Sequence, residues 1–288
     1  MPVDISRRSL LSGAAAILSS ARAFAAKSLA PERLGAELYT VRNLLPKEDD
    51  SVLKAIAQIG YKELEGDSPT LTRIAPKAKA LGLAMPSCHL PTTVIFGKGD
   101  KPLSEILAEL KPIGVRYAVV PYIMPADRTA ERLAGFGKRM NEAGETAKKA
   151  GMQLCYHNHA FEWAERDGKR IFDSMFGDTD PKLVQFEVDV FWLSVAGVDP
   201  VDFLTKNAGR VPLVHLKDKA PDQAVQYNEN VPHGAFKEVG SGNVDFKGVL
   251  AACRKIGVKH YFVEQDWTPG DPVASLRKSY EFVSGLHA

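Results

Sequence analysis

Short apolar runs and longer amphipathic stretches alternate along most of this 288-residue chain. One phrase recurs: a stretch with apolar residues three and four apart ends in Gly, and a short β-rich run follows at once. It occurs at Ile59-Gly60-Tyr61 ahead of KELEG, at Leu81-Gly82-Leu83 ahead of AMPSCHL, and at Ile113-Gly114-Val115 ahead of RYAVVPY. It returns at Ala150-Gly151-Met152 ahead of QLCYHNH, at Ala208-Gly209-Arg210 ahead of VPLVHLKD, and at Ile256-Gly257-Val258 ahead of KHYFVEQD. Glycine there suits the left-handed residue that closes a helix. Two further runs, LGAELYTV at 34–41 and LVQFEVDV at 183–190, lack the Gly but keep the composition, which makes eight strands. Helical spacing is plain at Leu53, Ile56 and Ile59, at Ile106, Leu107 and Leu110, and at Val249, Leu250 and Cys253.

Alternating strand and helix units imply an α/β fold with parallel strands covered by helices. Eight units in roughly 250 residues is the size of a single (β/α)8 TIM barrel. A doubly wound open sheet is the competing architecture, but it usually carries a Gly-rich phosphate loop after its first strand, and LGAELYTVRNLLP has none. No Pro- or Ser-rich linker divides the chain. The longest connection, 217–243, is expected to cover the barrel mouth, since loops of that length in a compact domain are usually functional.

The N-terminus stands apart from this pattern. Ser6-Arg7-Arg8-Ser9-Leu10-Leu11 precedes an Ala-rich stretch ending in Ala23-Phe24-Ala25, which reads as an export signal over residues 1–26 with the barrel domain over 27–288. Paired arginines before leucines resemble a twin-arginine signal, so a periplasmic location is expected for a protein exported already folded. The apolar run falls short of the ~20 residues of a spanning helix, so no membrane association is expected of the mature form. Without its first 25 residues the chain keeps 34 basic and 34 acidic side chains. That balance argues against a nucleic-acid partner, which calls for a basic surplus. Cys88, Cys155 and Cys253 match no metal or redox spacing and read as buried free thiols.

In a barrel of this kind the active site is built at the C-terminal ends of the strands. The second strand ends in Glu63-Leu64-Glu65, the third in His89, and the fifth in Tyr156-His157-Asn158-His159. The sixth ends in Glu187-Val188-Asp189, the seventh in His215-Leu216-Lys217-Asp218, and the eighth in Glu264-Gln265-Asp266. Each has a plain structural explanation alone: Asp189 as a cap, His215 as a hydrogen-bonded core histidine, Glu264 as the partner of Lys217. Together they converge on one mouth, and buried charges are costly unless paired or bound to metal. Two imidazoles with two carboxylates form a mixed set suited to Mn, Zn, Co or Fe rather than Ca.

At these residues the sequence resembles the xylose isomerase-like TIM barrels of the sugar phosphate isomerase/epimerase family, over residues 33–285. The resemblance rests on VDVFW around Asp189, VHLKD around His215, EVGSGNVDF at 238–246 and FVEQD around Glu264. It implies one divalent metal ion, with Mn, Zn, Co or Mg as candidates, held by a Glu of the fifth strand, an Asp of the sixth, a His of the seventh and a Glu of the eighth. The last three carry over to Asp189, His215 and Glu264. The fifth strand departs from the pattern: CYHNHAFEW offers His157 as fourth ligand, with His159 as the alternative and Glu162 as the nearest carboxylate. His157 and His159 share a face because a strand alternates.

The resemblance implies an isomerase or epimerase that transfers a proton next to the carbonyl of a small sugar. Glu264 is the candidate base, with His159 and Lys217 as further catalytic candidates. His89, Glu65, Glu162, Lys217 and His233 are the candidates for binding substrate. The missing fifth-strand carboxylate raises an alternative, a lyase or dehydratase acting on a keto sugar or keto-glycoside. A non-catalytic periplasmic sugar binder is a further alternative. A metal-dependent endonuclease on this fold would need extra ligands and a basic groove, against the neutral charge. The oligomeric state is not readable from the sequence.

Overall fold

The computed structural model describes residues 28–287; the expected export signal lies outside them. All eight anticipated strands form: β1 (Leu34–Glu37), β2 (Glu63–Glu65), β3 (Ser87–His89), β4 (Tyr117–Val120), β5 (Gln153–His157), β6 (Val184–Asp189), β7 (Leu213–Leu216) and β8 (His260–Val263). They lie in the order β2-β1-β8-β7-β6-β5-β4-β3, every pair parallel. Bridges from Glu63 to Ala84 and from Asp67 to His89 join β2 to β3 and complete the ring. The result is a single (β/α)8 barrel of the α/β class.

The six glycines of the recurring phrase all have positive φ, from 70° at Gly82 to 124° at Gly60. They end the helix-to-strand turns that the pattern located. Outside the ring lie α1 (Asp49–Ile59), α2 (Ser68–Ala80), α3 (Leu103–Leu110), α4 (Phe136–Ala150), α5 (Ile171–Phe176), α6 (Pro200–Lys206), α7 (Phe246–Ile256) and α8 (Pro272–Ser284). Their apolar faces pack onto the outer surface of the strands. Leu53, Ile56, Ile106, Leu107, Leu110, Val249, Leu250 and Cys253 are all buried, each contributing about 1.5–3 kcal/mol relative to exposure. Among the described residues no helix is long and apolar enough to cross a membrane, and all three cysteines are free and buried.

Two elements end earlier than their composition suggests. The first strand stops at Glu37, whose carboxylate accepts from the Tyr39 N–H and turns 38–41 into a 3-10 helix. The sixth stops at Asp189, which caps a short helix, Val190–Val195, by accepting from the Trp192 N–H at 2.9 Å.

The barrel interior is layered. Val119, Cys155, Leu213 and Phe262 form a dry middle layer, each fully buried. Gly35 is required there, because a Cβ at that place would stand 2.4 Å from the Phe262 ring. Below this layer Glu63 accepts from His260 Nδ1 at 2.7 Å, and Arg116 donates to His260 Nε2 at 3.0 Å. Glu63, grouped by the sequence with the mouth residues, thus belongs to the opposite end. Residues alternate in and out, so Glu65 lies one layer above Glu63. Above the apolar layer lie Glu65, His157, Glu187 and His215, and the apolar plug beneath separates them from the closed end.

Candidate metal centre and cavity

The strand ends deliver four donors to one point. His157 at the end of β5 faces Asp189 at the end of β6, with Nε2 3.6 Å from Oδ2. His215 of β7 places Nδ1 2.8 Å from Oε2 of Glu264, just beyond β8. One ligand atom from each of these four lies within 4.8 Å of the others, and all four residues are buried. A single ion with bonds of about 2.1 Å needs donors roughly 3 to 4 Å apart, so the set fits. Asp189 divides its two oxygens: Oδ1 caps the following helix, and Oδ2 faces Nε2 of His157 at 3.6 Å and Nζ of Lys217 at 3.1 Å. The plain capping role and the convergent role coexist in one carboxylate.

Behind the four stands a second layer. Oε2 of Glu187 lies 3.0 Å from His157 Nδ1, 3.3 Å from His215 Nε2 and 3.0 Å from His89 Nε2. Oε2 of Glu65 lies 2.5 Å from His215 Nε2. Each imidazole of the candidate ligand set is therefore gripped at its rear nitrogen by a carboxylate, the arrangement that orients metal-binding histidines. Two overlapping groups, His89-His157-Glu187-His215 and Glu37-Glu65-His89-His215, also gather. Each of them depends on Glu187 or Glu65, already committed to the rear nitrogens, so the set containing Asp189 and Glu264 is the better ion site.

Charge follows from this crowding. Burial opposes ionisation of Glu264, but Lys217 and His215 outweigh it and hold the carboxyl well below the usual range. Burial likewise disfavours charge on Lys217, yet Asp189, Asp266 and Glu264 keep its ammonium protonated. Its Nζ lies 3.1, 2.6 and 2.9 Å from their oxygens. His89 is lifted to about 10, because Glu65, Glu37 and Glu187 overcome its desolvation. His157 and His159 move the other way: burial first, then a neighbouring histidine, holds both neutral at ordinary pH.

The centre opens into a cavity of about 980 Å³ lined by His89, His157, His159, Lys217 and Glu264, with His233 from the long loop. That loop does cover the mouth, through Glu229, Val231, His233 and Phe236. Its base is pinned by Asp218, which accepts from the N–H groups of Lys219, Gly240, Gly242 and Val244. Gly242 has no room for a side chain, since a Cβ would meet Asp218 and the Lys219 carbonyl at 2.3 Å. This gives the EVGSGN segment a physical role.

Two expected substrate contacts sit elsewhere. Glu65 does not line the cavity but backs His215. Glu162 also lies outside the lining, buried beneath the β5 loop, where it accepts from Tyr156 Oη at 2.7 Å and the His159 N–H at 3.0 Å. It fixes the turn that carries His159. Nδ1 of His159 is buried without a partner, and the ring lies between Tyr122 at 4.7 Å and Trp192 at 5.2 Å. Glu187 carried no assigned role in the sequence, although its spacing of two from Asp189 puts both on the inner face. Glu37, Tyr122, Trp192 and Glu229 left no local signal.

The family described as xylose isomerase-like TIM barrel matches residues 87–285. An inosose dehydratase of Geobacillus kaustophilus (strain HTA426) is 26% identical over 303 residues, covering 90% of this chain and 96% of that protein. An inosose dehydratase of Geobacillus thermodenitrificans (strain NG80-2) is 29% identical over 154 residues, 50% of this chain and 51% of the relative, so here the chain spans about half the relative's length. A crystal structure of a sugar phosphate isomerase/epimerase from Parabacteroides distasonis ATCC 8503 superposes with a TM-score of 0.69 at 21% identity, covering 93% of this chain and 99% of that one. The match to the family pattern begins at β3, and β1 and β2 complete the same ring. The chain belongs to the xylose isomerase-like TIM barrel family.

Proposed function

We propose that this protein is a divalent-metal-dependent lyase that removes water from a keto sugar or a sugar-like ring ketone. The observation that carries this reading is the unlike pair at the cavity: an ionised carboxylate, Glu264, comes from β8, and imidazoles, His157 and His159, come from β5. Inverting a stereocentre with two carboxylates on opposite faces would need a second carboxylate at β5. Eliminating water needs one acceptor for the hydrogen beside the ketone and one donor for the departing oxygen. Glu264 is the acceptor. His89, held protonated beside Glu187 and Glu65, is the donor with the higher population at neutral pH, and His159 is a second imidazole on the cavity wall. An ion held by His157, Asp189, His215 and Glu264 would polarise the ketone and the hydroxyl beside it. The hydrogen leaves as a proton to Glu264, the hydroxyl leaves with a proton from histidine, and the products are the unsaturated ketone and water.

The inosose dehydratases among the similar proteins support the same class of reaction. The SRRSLLSG segment adds that the mature protein acts in the periplasm, where an unphosphorylated sugar is the expected substrate.

The test is turnover of keto and aldo sugars in D2O with Mn²⁺ present, read by mass spectrometry. Loss of one water supports the lyase. A product that has lost no water and carries one deuterium beside the carbonyl means isomerase or epimerase chemistry instead. Saturable binding with no product means a sugar binder.

A further inference from the structure

The cavity is larger than the chemistry requires. Its volume of about 980 Å³ is near the top of the range of roughly 300–1,000 Å³ that holds drug-sized ligands, and a monosaccharide is among the smallest of these. His89, His157, His159, Lys217 and Glu264 line it at the metal-site end, and the lining continues to Tyr39, Arg42, His233 and Trp267.

This outer end is ordered. Trp267 directly follows Asp266, whose carboxylate reaches Lys217 at 2.6 Å, so the indole begins where the inner site stops. His233 lies parallel on Trp267, with ring centres 4.8 Å apart and planes 13° apart, and so backs the indole from the long loop. Arg42 donates to the Asp266 carbonyl at 2.8 Å and to the Tyr39 carbonyl at 2.7 Å, with its guanidinium 3.8 Å over the Tyr39 ring. Tyr39 nevertheless stays 48% exposed, an aromatic ring fixed at the rim that the described chain does not cover. Rigid aromatic faces at a cavity mouth match the apolar face of another ring.

We infer that the outer end is a second subsite that takes a ring joined to the reacting sugar through its glycosidic oxygen. The substrate is then a keto glycoside rather than a free keto monosaccharide. The inference rests on the lyase reading for the inner end, but its test needs no turnover.

Binding to the Mn²⁺-loaded full chain is measured by calorimetry for methyl β-D-glucopyranoside, p-nitrophenyl β-D-glucopyranoside and cellobiose. The two-ring probes are expected to bind at least tenfold more tightly than the methyl glycoside. Trp267→Ala should abolish that advantage while leaving the methyl glycoside unchanged, and Trp267→Phe should restore most of it. Tyr39→Ala, at an exposed ring whose loss leaves the core intact, should reduce the advantage partly. Equal affinity for all three probes, no binding of any, or an advantage that survives both alanine changes would overturn the second subsite. Failure of the lyase reading would show separately, as two-ring binding without any loss of water from keto sugars.

Discussion

Nδ1 of His157 lies 3.0 Å from Oε2 of Glu187, and the contact turns Nε2 of the same ring toward Oδ2 of Asp189, 3.6 Å away. Because Glu187 also approaches His215 and His89, one buried carboxylate sets the direction of three imidazoles. Glu187→Gln should therefore weaken Mn²⁺ binding by about 10–100-fold with the fold retained. Calorimetric titration beside far-UV circular dichroism checks this; unchanged affinity contradicts the orienting role.

The same contact bears on the departure of the fifth strand from the family's carboxylate. A carboxylate at 157 would meet Glu187 where an imidazole now donates a proton. His157→Glu should bind Mn²⁺ more weakly than wild type, and His157→Glu with Glu187→Gln should recover much of the loss, with a coupling of about 1–3 kcal/mol in the double-mutant cycle. Additive effects would separate the two positions. His159→Ala should leave far more metal bound than His157→Ala.

Glu162 carries a pH dependence of stability. Burial pushes its carboxyl up to about 7, against hydrogen bonds from the His159 N–H and Tyr156, while the unfolded chain titrates near 4.3. Between those values the folded state holds the extra proton, so this group's contribution falls as pH rises from about 4.3 to 7, and the full penalty is present above 7. Glu162→Gln removes the ionisation. The Tm of the variant minus that of wild type should rise across this window, and a flat difference contradicts the shift.

At the closed end of the barrel, His260→Ala strips Glu63 of one partner and leaves the half-exposed Arg33 at 2.9 Å. A loss of about 2 kcal/mol in unfolding free energy is expected from the lost hydrogen bond to a carboxylate, with metal affinity unchanged because the apolar layer separates the two ends. Denaturant unfolding and metal titration of one preparation check both halves.

The barrel was legible because it repeats: helical spacing, a closing glycine and a β-rich run recur, and this local grammar needs no tertiary information. Asp189, His215 and Glu264 were legible because ionisable residues at apolar strand ends need a reason. What stayed hidden depends on pairs far apart in sequence. Glu65 was expected at the substrate and instead backs His215, 150 residues away. Arg128 meets Glu229 across 101 residues at 2.9 Å, tying the long loop to the segment after β4. No periodicity announces such a contact. Glu162 shows the limit within one segment, since whether it faces the cavity or the turn beneath depends on a 3-10 helix, Phe161–Trp163, that alternation does not describe.

The central claim is that His157, Asp189, His215 and Glu264 form one ion site that the chemistry requires. Calorimetric titration of metal-free protein with Mn²⁺, for wild type and Asp189→Ala, tests it most directly. One ion per chain in wild type and none in Asp189→Ala, with the variant still unfolding cooperatively, at a temperature lowered by the lost cap of Val190–Val195, is the predicted result. Undiminished Mn²⁺ binding in Asp189→Ala, or none in wild type, would contradict it.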